Sequence, residues 1–174
     1  MPNFTWAAPP YYASQMVYAN HLANGMVANV TATPLPFPAV KNLTVFGEVT
    51  PEKDEIVLRF VNDNNVSVAT TFEVLAGAGA GVGAGGGGGG VIGSFCSAGS
   101  VVKVQTLSSP YFGTPEYDAR DGGWNSPTTP TRIATKNSTI TWPSRSLFGD
   151  GGGCTYTLPP MSFVVMRFKQ QDAQ

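Results

Sequence analysis

Charge is scarce in this chain. Lys, Arg, Asp and Glu make up only 12% of its 174 residues, and ten basic against eleven acidic groups leave a formal net charge of −1. So few cations give no extended basic face for a phosphate backbone or an anionic bilayer, which argues against nucleic acid and membrane surfaces as partners. Histidine is almost missing too. His21 stands alone, so neither a Ser-His-Asp arrangement nor a histidine-rich metal site can be assembled. Cysteine occurs twice, at Cys96 and Cys154, without metal-type spacing. The two suit a disulfide in an oxidising compartment, or two small buried hydrophobes. No apolar run approaches the roughly 18 to 20 residues needed to span a bilayer, and the N-terminus lacks the basic-then-apolar pattern of a leader. No catalytic residue, metal ligand or cofactor site is assigned from the sequence, and no cofactor is expected.

What the chain has in quantity is asparagine, threonine, glycine and β-branched residues. Five Asn-x-Ser/Thr sequons begin at Asn3, Asn29, Asn42, Asn65 and Asn137, each an acceptor pattern for N-glycosylation in a secreted protein. A secreted glycoprotein is therefore expected, with any signal lying upstream and Met1 internal to a longer frame.

At this length one domain with a sizeable core is expected. Pro9 to Leu22 places Tyr11, Tyr12, Gln15, Met16, Tyr18 and Ala19 at i, i+3, i+4 intervals after a proline start, which predicts an amphipathic helix. Its apolar stripe must be covered, by the domain itself or by a neighbour. From Asn42 the texture changes to strands: Leu43–Val49, Glu55–Val61, Val66–Leu75, Val101–Leu107, Ser138–Trp142, Cys154–Leu158 and Ser162–Phe168. The Asn62-Asp63-Asn64-Asn65 cluster reads as a turn that makes a hairpin of its flanking strands. Short strands without intervening helices predict an antiparallel β-sandwich. Residues 76–93, an Ala/Gly alternation running into six glycines, read as a disordered loop, since nothing there buries enough apolar area to offset the ordering cost of glycine. A P-loop is excluded, because its lysine and Ser/Thr are missing and no helix follows.

Acids at Glu48, Glu52, Asp54, Glu55, Glu73, Glu116, Asp118 and Asp121 offer formal pairs for glycosidic acid/base work. Most lie in turns or beside lysines, as solvated surface acids do, and nothing marks two of them as held about 5 to 5.5 Å apart in a cleft. Tyr111, Phe112, Tyr117, Trp124 and Trp142 fall in or beside Gly/Pro/Asp-rich stretches. Flat amphipathic rings there can stack on sugar faces or cap the core. Trp124, Tyr117 and Tyr111 are the candidate sugar contacts.

The closing segment Leu158-Pro159-Pro160-Met161-Ser162-Phe163-Val164-Val165-Met166-Arg167 resembles the end of the C-terminal β-domain of family 51 α-L-arabinofuranosidases. The helix Pro9-Pro10-Tyr11-Tyr12-Ala13-Ser14-Gln15-Met16 is similar to the last helical part of that family's (β/α)8 barrel. Asp54-Glu55-Ile56-Val57-Leu58-Arg59-Phe60-Val61-Asn62-Asp63 is similar to its core hairpin, and Trp124-Asn125-Ser126-Pro127 to a later stretch of the same domain. The resemblance implies a barrel remnant over 1–30 and a jelly-roll-like β-sandwich over 31–174. It also implies a parent that hydrolyses terminal non-reducing α-L-arabinofuranosides, with the catalytic barrel and plant cell-wall arabinan or arabinoxylan as partners. The family's two catalytic glutamates have no counterpart position here, so the chain is expected to be inactive alone. The rival expectations are a carbohydrate-binding module and a structural or interaction glycoprotein domain.

Overall fold

A computed structural model of the chain describes residues 9–34, 43–52, 54–75, 100–108, 133–141 and 154–169. The loop predicted over 76–93, the candidate sugar contacts Tyr111, Tyr117 and Trp124, the sequons at Asn3 and Asn42, and Cys96 lie outside these residues, as do the side chains of Asn29 and Cys154.

Among the described residues one helix, α1 (Pro9–Ala19), precedes eight strands: β1 (Met26–Pro34), β2 (Leu43–Val49), β3 (Glu55–Asn62), β4 (Val68–Leu75), β5 (Val101–Ser108), β6 (Lys136–Thr141), β7 (Cys154–Leu158) and β8 (Ser162–Lys169). Every pairing between them is antiparallel, and the chain is mainly β, as the strand-rich sequence predicts. The strand order is β6-β5-β8-β3-β2-β1-β4-β7. This ribbon folds over at β1. Met26 to Ala28 pair with β2, whereas Asn29 to Pro34 pair with β4, so one strand serves two leaves of a sandwich.

The core between the leaves follows from strand alternation. In register, Val104, Met166, Leu58, Gly47 and Ala28 form one row across the larger leaf, and Val102, Phe168, Ile56 and Val49 form the next. These apolar side chains share one face. They pack with Leu158 and Tyr156 of β7 and with Val30 of β1. Gly47 is the small member of its row for a steric reason. A Cβ there would lie 2.4 Å from Val30 Cγ2 and 3.1 Å from Ala28 Cβ, where β1 bends away into the second leaf.

Strand β3 is buried on both faces, which its run Ile56-Val57-Leu58-Arg59-Phe60 anticipates. Ile56, Leu58 and Phe60 face the sandwich core. Val57 joins Val165, Leu107 and Ile133 beneath Met16 of α1 and Leu22 just after it. Of the predicted helix stripe, Met16 and half-buried Tyr12 are covered by the chain's own sheet in a second and smaller apolar layer, while Tyr11, Gln15, Tyr18 and Ala19 are exposed. Strand β1 was not foreseen. Its residues Ala28, Thr31, Ala32 and Thr33 are small or polar, and it closes on Pro34, so neither alternation nor bulk sets it apart from the helix it follows.

The hairpin expected between β3 and β4 does not form. Strand β3 pairs with β2 and β8, while β4 pairs with β1 and β7. The Asn/Asp cluster does turn the chain, but from one leaf to the other. Asn62, buried to 1% exposure, donates through Nδ2 to Val66 O at 3.1 Å and Pro159 O at 2.6 Å, and its Oδ1 accepts from Asn64 N at 3.1 Å. The Pro159-Pro160 corner, which carries the chain from β7 back to β8, lies alongside: Met161 N donates to Asn64 O at 2.9 Å, with Met161 at a φ of 40°. Two inter-leaf crossings are therefore pinned by one buried amide, since a buried polar group left unbonded would cost stability.

Candidate functional site

The outer face of the larger leaf, beside the end of α1, gathers most of the described polar chemistry. The helix stops at Ala19, and Asn20 Nδ2 turns back to donate to the carbonyl of Met16 at 2.7 Å while also donating to Gln105 Oε1 at 2.6 Å. Gln105 Nε2 continues the chain to Asn137 Oδ1 at 3.0 Å. Satisfying helix-end carbonyls is obligatory for a docked helix, and this one is tied directly to the sheet on which it lies.

Arg59 lies under the same corner, its side chain 7% exposed. Its guanidinium contacts Glu48 Oε1 at 2.9 Å and donates to Asn20 O at 3.2 Å, placing a cation at the C-terminal end of the helix where the dipole favours one. Its Nε is buried without a partner among the described residues. Glu48 also accepts from Leu22 N at 3.1 Å and faces His21 Nδ1 at 3.2 Å. Burial pushes the Glu48 carboxyl up, but hydrogen bonds from Arg59 and Leu22 N–H, the Arg59 charge and His21 outweigh it, and the carboxyl is held below its ordinary value. A depressed carboxylate contributes stability that is fully present above the ordinary glutamate range and is lost as pH falls through the folded value. Urea midpoints measured between about pH 6 and pH 3 should therefore fall more steeply in the parent chain than in Glu48→Gln. Equal slopes would show that the ion pair does not titrate with folding.

These contacts decide what the predicted acids can do. Glu48 is held by Arg59 and Glu55 by Arg167, which is raised further above its ordinary value by that bond. Asp54 accepts from the Thr50 hydroxyl in the turn before β3. Glu52 is exposed, the Glu73 side chain is outside the described residues, and so are Glu116, Asp118 and Asp121. The described carboxylates near the sheet thus act as anchors for guanidinium groups and turns. His21 sits on the rim of the helix end, as an interfacial residue would. Of the sequon asparagines, Asn65 and Asn137 are exposed, in the crossing loop and on edge strand β6 respectively.

Two hollows flank the network. One, about 670 Å³, runs over β6, β5, β8 and β3 and is lined by Lys103, Arg167, Lys169, Glu55, Asn137 and Thr139 among others. Sequence reading gave no sign of it, because its cations come from strands separated by long stretches of chain. The other, about 760 Å³, lies between α1 and the interior strands β3 and β8 and is largely apolar, lined by Ala13, Val17, Tyr18, Val61 and Phe163. Near it Tyr18 is 88% exposed, and Phe46 and Val27 on the same face of the sheet are 58% and 91% exposed. Large apolar groups left open in this way mark surfaces suited to a protein partner. Among the described residues no helix is long and apolar enough to cross a membrane.

The sequence matches no family model and no curated protein. Solved structures do match in fold. An arabinose-bound α-L-arabinofuranosidase, MgGH51, superposes with a TM-score of 0.57 at 17% identity, over 97% of this chain and 20% of that one. An α-L-arabinofuranosidase from Thermotoga maritima in complex with arabinose gives 0.41 at 13% identity, over 73% of this chain and 19% of its own. A GH30 endoxylanase from Clostridium papyrosolvens C71 gives 0.46 at 15% identity, over 92% and 28%. At these identities the likeness is one of fold, and the chain spans about a fifth of the length of the arabinofuranosidases it is similar to.

Proposed function

We propose that this chain is the C-terminal accessory domain of an α-L-arabinofuranosidase-like glycoside hydrolase, a secreted glycoprotein that packs against a catalytic barrel and does not hydrolyse arabinofuranosides alone. The observation that carries this reading is a fold likeness running nearly the whole length of this chain, helix included, against about a fifth of an arabinose-bound arabinofuranosidase. The closing Leu158-Pro159-Pro160 motif adds support, since it forms the inter-leaf corner of that fold. So do the carboxylates Glu48 and Glu55, whose engagement with Arg59 and Arg167 suits structural anchors. Exposed Tyr18, Val27 and Phe46 supply an apolar face for the barrel to cover. The purified 174-residue chain should release no detectable arabinose from an aryl α-L-arabinofuranoside. Turnover that survives Glu48→Gln and Glu55→Gln but disappears with another single carboxylate would place a catalytic group in the chain and end the accessory reading.

A further inference from the structure

We infer that the polar groove on the outer face of the larger leaf is a binding site for a carboxylate-bearing saccharide, an oligouronide in chemical class. The inference rests on the groove alone and is independent of the accessory-domain reading.

The first observation is concentration of charge. Five basic residues are described in this charge-poor chain, Arg59, Lys103, Lys136, Arg167 and Lys169, and three of them line this one hollow. The second is their register. Lys103 on β5 is directly opposite Arg167 on β8, so two cations project from adjacent strands on one face. Like charges directly opposite are destabilising in a sheet, and local rules of this kind are broken where a ligand repays the violation. Glu55 relieves only part of the repulsion. It faces Lys169 in register and bonds Arg167 through Nε. Lys103 and Lys169 are exposed and have no anionic partner among the described residues, so net positive charge remains in the groove.

The third observation is what surrounds the cations. On β6, Asn137 and Thr139 stand opposite Gln105 and Lys103 on the same face. Asn137 Oδ1 accepts from Gln105 Nε2 at 3.0 Å, which fixes both amides along the wall of the groove. A volume of about 670 Å³ exceeds the needs of a lone small anion and suits a ligand of a few rings. Neutral amide and hydroxyl groups beside separated ammonium groups match sugar hydroxyls that alternate with carboxylates. They do not match the continuous negative charge of a nucleic-acid backbone, which needs a longer basic track.

The test uses the whole chain and calorimetric titration with trigalacturonate, with neutral xylotriose and inorganic phosphate as comparison probes. Trigalacturonate should bind saturably and weaken as salt rises, and Lys103→Gln and Lys169→Gln should each weaken it about tenfold. Because both lysines are exposed, the variants should fold, and Lys103→Gln should keep or raise the thermal midpoint by removing the repulsion with Arg167. Four results would overturn the inference: no saturable trigalacturonate binding, affinity unchanged in both variants, xylotriose binding equally well, or phosphate competing at the same affinity.

Discussion

Arg59→Ala will unfold this domain more readily than any other single truncation on the outer face, lowering the free energy of unfolding by about 3 kcal/mol. The size follows from what the guanidinium holds. It is almost fully buried, it balances Glu48 at 2.9 Å, and it takes the free carbonyl of Asn20 at the end of α1. Removing it strands a carboxylate that is only 21% exposed and leaves a helix-end carbonyl without its donor. The loss comes from what is left unpaired, so removing both charges should cost less than removing one. Urea unfolding followed by far-ultraviolet circular dichroism should therefore place the Glu48→Gln/Arg59→Met pair above Arg59→Ala. If the single and double variants unfold alike, the ion pair does not clamp the helix to the sheet.

Gly47→Val should cost about 3 kcal/mol, the upper part of the range for overpacking a close-packed core. Even a Cβ would meet Val30 Cγ2 at 2.4 Å, Ala28 Cβ at 3.1 Å and Leu58 Cδ2 at 3.3 Å, and valine adds two methyl groups beyond it. Ala28 and Val30 flank the point at which β1 leaves one leaf for the other, so the contact cannot be relieved without shifting that bend. Trimming the opposing side chain gives the check. Gly47→Ala combined with Val30→Ala should be coupled, with the double variant more stable than the sum of the singles by about 1 kcal/mol. Strict additivity would mean that the two residues do not meet.

Both predictions rest on features that differ in how far the sequence reveals them. Strands such as Leu43–Val49 and Ser162–Phe168 are legible because β-branched and aromatic side chains alternate across a pleat, and that local signal survives folding. The double burial of β3 is visible in its apolar run, which Arg59 alone interrupts between Ile56 and Val61. The pairing of β3 is not, because the Asn/Asp cluster that follows it specifies a change of direction without specifying a partner. Asn62 selects an inter-leaf crossing by reaching Pro159, a residue far away in sequence. Strand β1 escapes for the opposite reason. Its place is set by the sheets on either side, with Gly47 making room for its bend. The polar groove and the Arg59 network are likewise products of register, assembled from β2, β3, β5, β6, β8 and the end of α1, and no spacing along the chain announces them. What the wording of the sequence did convey is local: the Pro159-Pro160 corner does turn the chain, and the segment after it is the strand β8 of the larger leaf.

The most direct test of the central claim is the size and activity of the native polypeptide that carries this sequence. Antibodies raised against the 174-residue chain, 18.2 kDa by composition, should capture from its natural source a polypeptide several times larger. The captured material should hydrolyse an aryl α-L-arabinofuranoside, and peptides mapped upstream should belong to a barrel. A captured polypeptide of about the composition mass, free of arabinofuranosidase activity, would contradict the account.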